Sequence, residues 1–263
     1  MLTLASLYSG SSGNAIYVSN ENTKVLVDAG LSGKKIEQAI SSIGEDIGNI
    51  QAILISHEHS DHILGAGVLA RRYGIPIYAN ERTWDAMSCA LKKINSECIQ
   101  VFNTGDTFNI GDLEIQAFEI PHDAVEPVGF NISYNCKKIT IATDIGHLSE
   151  YLLSCLEGSD MVLIESNHDV EMLKVGRYPW SLKQRILGDT GHLCNEMAAE
   201  VVSYLAKRGT KKFLLGHLSQ ENNFPELAFE TVKNALRESS IIAGQDVYLS
   251  VARRDRASEQ ISV

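Results

Sequence analysis

The sequence predicts an α/β protein built as a four-layer αββα sandwich, two mixed β-sheets flanked by helices, and two features of the chain predict it. Short apolar runs rich in Val and Ile recur in both halves among segments of helical periodicity, the pattern expected where sheets are covered by helices. A faint internal echo also places a strand ending in Asp-x-Gly in each half, TKVLVDAG at 23–30 and KKITIATDIG at 137–146.

In chain order, SGSSGN at 9–14 is a Gly/Ser turn between two strands. It reads either as a plain hairpin or as a cradle in which backbone amides and the hydroxyls of Ser11 and Ser12 hold a phosphate. Strands follow at 14–19 and 23–28, a helix at 33–43, a strand at 51–55, helices at 62–73 and 82–94, and a strand at 98–102. The second half reads as strands at 112–120, 127–134 and 137–142, a helix at 148–156 and a strand at 160–165. It closes with a helix at 195–207, a strand at 211–216 and a helix at 224–238, with Asn195 and Asn223 expected as the two N-caps. Nothing resembling a linker, a low-complexity tract or a solenoid repeat interrupts the chain. The expected organisation is one domain over 1–252, followed by a disordered tail, RRDRASEQISV, at 253–263.

Apolar residues make up 44% of the 263 residues and charged ones 21%, the balance of an ordinary globular protein. The five cysteines are scattered and form no C-x-x-C pair, which excludes a disulfide framework and a thiolate zinc site and fits a reducing cytoplasm. No secretory signal and no membrane-length apolar run is present, so the expected location is cytoplasmic, with no membrane partner. A net charge of −10 disfavours non-specific nucleic-acid binding, which rests on a basic face. Arg177, Lys183 and Arg185 nevertheless cluster in RYPWSLKQR and are candidate DNA contacts.

The chemistry concentrates in AILISHEHSDHILG at 52–65, an apolar strand that stops at three histidines and two carboxylates. Such groups are costly to bury without partners, and a divalent cation satisfies them together. His57 and His59 alternate and project to one side of an extended segment, while Asp61 and His62 come where a helix begins and turn toward a second ion. Glu58 points the other way and reads as structural or solvated.

This string resembles the H-x-H-x-D-H signature of metallo-β-lactamase-fold hydrolases, and the remaining family motifs follow in order. Asp28 in VLVDAG, His122 in EIPHDA, Asp144 in IATDIG and His217 in FLLGHLS each cap an apolar strand. The resemblance implies a metallo-β-lactamase fold with one ion on His57, His59 and His122, another on Asp61, His62 and His217, and Asp144 bridging both. It implies for Asp28 an orienting role behind the ligands, against a plain reading as a strand-end turn former. The ions, Zn, Mn or Fe by ligand type, would share a hydroxide nucleophile. His192 in GDTGHLCNE and His168 in LIESNHD are candidates for contacting substrate or protonating a leaving group, with His147 behind them.

SGSSGN, HEHSDHILG, HDAVEPVGF, ESNHD, YPWSLKQRI, GHLCNE and GHLSQENN together resemble the YycJ/WalJ family, over residues 8–225. That resemblance implies a metal-dependent 5′-to-3′ exonuclease on double-stranded DNA, with a link to DNA repair. Two other readings stand beside it: a hydrolase of small esters, lactones or thioesters, and a non-catalytic metal-bound module that binds DNA or protein.

Overall fold

A computed structural model describes residues 1–263. Its elements, in chain order, begin with strands β1 (Thr3–Tyr8), β2 (Ala15–Ser19) and β3 (Lys24–Val27), then α1 (Gly33–Ser42), β4 (Ala52–Leu54), α2 (Ser60–Ile63), α3 (Ala66–Tyr73), β5 (Ile77–Asn80) and α4 (Glu81–Leu91). There follow β6 (Ile99–Phe102), β7 (Thr107–Ile110), β8 (Leu113–Glu119), β9 (Val128–Tyr134), β10 (Lys137–Ala142), α5 (Glu150–Leu156) and β11 (Met161–Glu165). The chain ends with α6 (Val170–Val175), α7 (Trp180–Leu187), α8 (Asn195–Lys207), β12 (Lys212–Gly216), α9 (Pro225–Glu238), β13 (Tyr248–Val251) and β14 (Ile261–Ser262). The strands form two mixed seven-stranded sheets, and the fold class is the α/β one expected. No helix is long and apolar enough to cross a membrane.

The chain divides into two compact units, one of residues 1–119, 124–137 and 253–263, the other of residues 120–123 and 138–252. Both take non-contiguous stretches, so no linker or shift in composition marks them.

The first unit holds the sheet ordered β14-β1-β2-β3-β4-β5-β6. Its β1–β2–β3 meander is antiparallel, and β3 through β6 run parallel. Helices α1, α3 and α4 turn Ile36, Ile40, Leu69, Trp84 and Met87 into a core shared with Tyr17, Leu26 and Ile53. Each such side chain contributes about 1.5–3 kcal/mol when fully buried. Local chemistry sets the ends: the Asn80 carboxamide accepts the Thr83 N–H at 2.8 Å to open α4, and α3 stops at Gly74, whose φ of 68° is left-handed. The segment after 252, expected as a tail, supplies β14, which pairs antiparallel with β1. The same unit carries the antiparallel β7–β8–β9 run.

The second unit holds the parallel run β10, β11, β12 and β13. Its inner strands are continuous apolar runs because both faces are covered. Helices α8 and α9 bury Val201, Val202, Leu205, Val232 and Leu236.

The expected N-caps are corrected here. Cys194 and Phe224 occupy the cap positions of α8 and α9, while Asn195 and Asn223 are buried and bond each other, their carboxamide pairs 2.8 and 3.1 Å apart. The Asn223 amide also donates to the carbonyls of Ser166 and Asn167. Buried polar groups in the loops bind these two carboxamides, so they are not spent on capping.

Candidate metal centre

The functional side chains stand at the carboxyl ends of parallel strands, where open α/β sheets present their ligand sites. Asp28 follows β3, Ser56 and His57 follow β4, Asp144 follows β10, Glu165 ends β11 and His217 follows β12. Three of these residues leave their strands through left-handed backbone, Asp28 and Asp144 at φ 62° and His217 at φ 54°. Non-glycine residues rarely adopt it, and it persists where the surrounding structure holds it for a purpose. The Asp-x-Gly echo of the two halves is thereby a shared backbone conformation.

In the first unit, register opposes Val27 to Leu54, so Asp28 faces the turn after β4. Its carboxylate accepts the Ser56 N–H and hydroxyl at 2.9 Å and lies 2.8 Å from His62 Nδ1. The Ser56 hydroxyl also lies 3.0 Å from His57 Nδ1. Holding Nδ1 in this way leaves Nε2 as the coordinating nitrogen. His57 Nε2 and His59 Nδ1 are 3.1 Å apart, near the roughly 3.3 Å that separates two nitrogens on one tetrahedral zinc. Asp61 Oδ2 is 3.6 Å from His62 Nε2, and the Asn14 amide is 3.1 Å from that nitrogen. Asn14 is fixed in turn: its backbone bonds to Asp61 and Gly30, and its side-chain oxygen accepts the Gly10 N–H. The Glu58 carboxylate accepts the Val125 N–H at 2.9 Å, a structural role.

In the second unit, register opposes Glu165 to Gly216, which puts His217 one residue beyond the level of Glu165. Glu165 is fully buried and is bonded on both oxygens: Oε1 lies 2.8 Å from His192 Nδ1 and 2.6 Å from His217 Nδ1, and Oε2 accepts the N–H groups of Ile145 and Leu193. Asp144 Oδ1 lies 3.4 Å from His217 Nδ1, 3.8 Å from His122 Nε2 and 3.9 Å from His192 Nδ1. Ligand atoms of Asp144, Glu165, His192 and His217 all fall within 4.8 Å of one another. Buried imidazoles and carboxylates converging in both units fit a divalent cation, and the donor types suit Zn, Mn or Fe.

Electrostatics differentiates these histidines. Burial pushes the His122 imidazole below its ordinary value despite nearby Asp144. Burial opposes charge on His192 too, but the bonded Glu165 carboxylate more than offsets it and lifts the imidazole above its ordinary value. Burial alone would raise the Glu165 carboxyl, yet His192 and His217 pull it below the usual range.

The structure corrects two of the other expectations. His168, a candidate for contacting substrate, is 1% exposed and bridged through its backbone to Cys194, so its ring is not open to solvent. Lys183 is buried with its ammonium donating at 2.7 Å to the carbonyls of Lys174 and Gly176, which removes it from the candidate DNA contacts. Arg177 and Arg185 are exposed, and Arg185 pairs with Asp123, next to His122. Ser11 and Ser12 are exposed at the tip of the β1–β2 hairpin, and His147 is exposed with Nδ1 2.8 Å from the Asp189 carbonyl.

Sequence reasoning passed over Asn14, Ser56 and Glu165. Glu165 carried a readable signal, a carboxylate closing the apolar run MVLIE just as Asp28 and Asp144 close theirs. Ser56 and Asn14 matter only through partners brought near by the fold.

A family model described as a beta-lactamase superfamily domain matches residues 23–218. The chain is 45% identical over 239 residues to "Exodeoxyribonuclease YycJ" of Bacillus anthracis, covering 91% of this chain and 90% of that protein. It is 48% identical over 242 residues to "Exodeoxyribonuclease WalJ" of Streptococcus pneumoniae serotype 2, with the same 91% and 90% coverage. Among solved structures, a diphosphatase from the PhnP family superimposes with a TM-score of 0.67 over 98% of both chains at 18% identity, a likeness of fold.

Proposed function

The chain belongs to the beta-lactamase superfamily and, within it, to the family of the YycJ and WalJ exodeoxyribonucleases, and on that basis we propose that it degrades double-stranded DNA from 5′ ends using two divalent metal ions. It is a metal-dependent hydrolytic enzyme, a nuclease. What supports the finer reading is the position of the seven candidate ligands: His57, His122, Asp144 and His217 lie within three residues of the ends of β4, β8, β10 and β12, and His59, Asp61 and His62 lie at the start of α2 just beyond β4.

In this reading His57, His59 and His122 would hold one ion and Asp61, His62 and His217 the other, with Asp144 available to both. Bound ions supply an ionised water as nucleophile and positive charge against the developing phosphorane. The chain's own residues do the rest. Asp28 and Ser56 hold His57 and His62 in the tautomer that presents Nε2. Glu165 keeps His192 protonated, and His192 delivers that proton to the leaving 3′ oxygen. Arg185, anchored by Asp123 beside His122, and Ser11 and Ser12 at the hairpin tip contact phosphates flanking the scissile one. The reading places the enzyme in the cytoplasm, where its five free cysteines stay reduced.

The test is digestion of end-labelled duplex DNA, single-stranded DNA and RNA by metal-stripped protein resupplied separately with Mn, Zn or Mg. Stepwise loss from duplex 5′ ends, absent in Asp144→Asn, is the expected result and identifies the working metal. Turnover of a lactone or thioester with no cleavage of any nucleic acid would move the substrate to small esters.

A further inference from the structure

The segment joining β11 to α8 carries an apolar surface that folding leaves uncovered. Val175 is 84% exposed and Trp180 is 66% exposed, although tryptophan is one of the more buried residues on average and the most expensive to leave in water. Trp180 is also held in place. Pro179, with its fixed φ, precedes it at the cap of α7, and two residues upstream of the proline lies exposed Arg177. The buried Lys183 ammonium, one turn along α7, ties that helix to the last carbonyls of α6 through Lys174 and Gly176. A rigid hairpin of two helices thus presents an indole rather than a flexible loop.

Two further facts say what covers it. Of the four cations in residues 170–187, Lys183 is buried and Lys174 and Arg185 pair with Glu171 and Asp123, which leaves Arg177 as an exposed cation three residues before Trp180 in a protein of net charge −10. The same helix reaches the candidate metal centre, since Arg185 pairs with Asp123, the neighbour of His122. Trp180 and Arg185 are five residues apart, about 7.5 Å along the helix axis at 1.5 Å per residue. That is about two nucleotide steps of a duplex strand at 3.4 Å each.

We propose that the α6–α7 hairpin is a nucleobase platform, on which Trp180 stacks an unpaired base of the polynucleotide while Arg177 and Arg185 lie along its phosphates. Aromatic faces take any base without hydrogen-bond readout, so the platform fixes the strand's position and leaves its sequence unselected. It rests on the nuclease reading for its substrate, and it adds that the bound strand has at least one base out of the duplex near the metal centre.

The experiment uses the metal-loaded enzyme and a cleavage-resistant phosphorothioate duplex with a short unpaired end, followed by tryptophan fluorescence in the wild type and, for affinity in every variant, by anisotropy of a dye on the far end of the DNA, with cleavage of unmodified DNA measured in parallel. The expected result is saturable quenching that disappears in Trp180→Leu and when the unpaired nucleotides are abasic. Affinity should fall about 10-fold in Trp180→Leu, the size of one lost base–aromatic stack, and return in Trp180→Tyr. The substituted side chain is mostly solvent-exposed, so these variants keep their fold. Unchanged affinity in Trp180→Leu, or quenching indifferent to the abasic substitution, overturns the platform. If wild-type protein then still degrades DNA, the nuclease reading survives that failure. If it degrades no DNA yet binds with Trp180-dependent quenching, the platform stands and the nuclease reading falls.

Discussion

Asp28 reaches its partners through a backbone angle that asparagine also tolerates, so Asp28→Asn removes the charge behind His62 without disturbing the left-handed turn. The expected outcome is a folded protein whose metal affinity, measured by competition with a chromophoric chelator, is weaker by about 10–100-fold. An unchanged affinity would return Asp28 to the role of turn former. Glu165→Gln tests the proton held by His192. Loss of the carboxylate should lower kcat on DNA by about 100-fold or more, the ordinary worth of a positioned general acid. It should spare hydrolysis of a p-nitrophenyl phosphodiester, whose leaving group departs without a proton. Equal losses on both substrates would show that Glu165 serves the metal ligands alone. His168 makes a different prediction. It is 1% exposed, neither ring nitrogen has a hydrogen-bond partner, and burial pushes its imidazole down to about 4. The unfolded chain binds a proton near pH 6.5 that the folded chain refuses, so this contribution is fully present above that pH and is lost as pH falls toward 4. The loss amounts to about 3 kcal/mol at most. Urea midpoints of the wild type should therefore fall more steeply between these pH values than those of His168→Leu, and parallel curves would refute the assignment.

At the level of elements, the strands that carry the centre were legible because each is an apolar run closed by a polar residue. VLVDAG, AILISH, IATDIG and FLLGH announce both β-structure and a reason to stop. The strands at 77–80, 107–110 and 248–251 escaped notice because IYAN, TFNI and YLSV are short and interrupt their apolar residues with polar or small ones, leaving no run to separate from chance. Helices α6 and α7 were missed for a physical reason as well: Val175 and Trp180 face solvent, so no apolar stripe of helical period marks a buried side. Spacing singles out His57, His59, Asp61 and His62, and the resemblance to the family adds His122, Asp144 and His217, whereas Ser56 and Asn14 acquire meaning only through contacts across 28 and 48 residues of chain. Lys183 shows the converse error, since a charge cluster in sequence contains one ammonium that the fold consumes internally. The loop after β3 gives the sharpest prediction at this scale. A Cβ on Gly30 would lie 1.5 Å from the Asp61 carbonyl oxygen, and that carbonyl accepts the Asn14 N–H. Gly30→Ala must therefore displace α2 and with it Asp61 and His62. It should destabilise the protein by more than about 3 kcal/mol, read as a lowered urea midpoint, and weaken metal binding together with stability. Gly74→Ala is the matched control, a left-handed glycine with no atom within 4 Å of its new Cβ. Its effect should be confined to stability, at about 1 kcal/mol.

For the whole molecule the decisive quantity is the coupling between metal and folding. The chain carries ten more negative than positive charges, and within each unit carboxylates lie close to imidazoles, Asp28 and Asp61 beside His62 in one, Asp144 and Glu165 beside His217 in the other. Imidazoles and carboxylates gathered this closely repel or desolvate one another when the cation is gone, and no surface pair elsewhere returns that cost. A ligand that binds only the folded state stabilises it by about 2.7 kcal/mol at one hundred times its dissociation constant. For a chain of this length each kcal/mol moves Tm by roughly 2–4 °C. Stripping the metal should therefore lower Tm by about 5–10 °C, and resupplying it should restore Tm in proportion to the logarithm of its free concentration. Asp144→Asn, which leaves a side chain of the same shape without the charge, should flatten that logarithmic dependence while raising the Tm of the stripped protein. An Asp144→Asn protein that still gains full stability from metal would show that the cation sits elsewhere, and the ligand set proposed here would have to be redrawn around a different group of side chains.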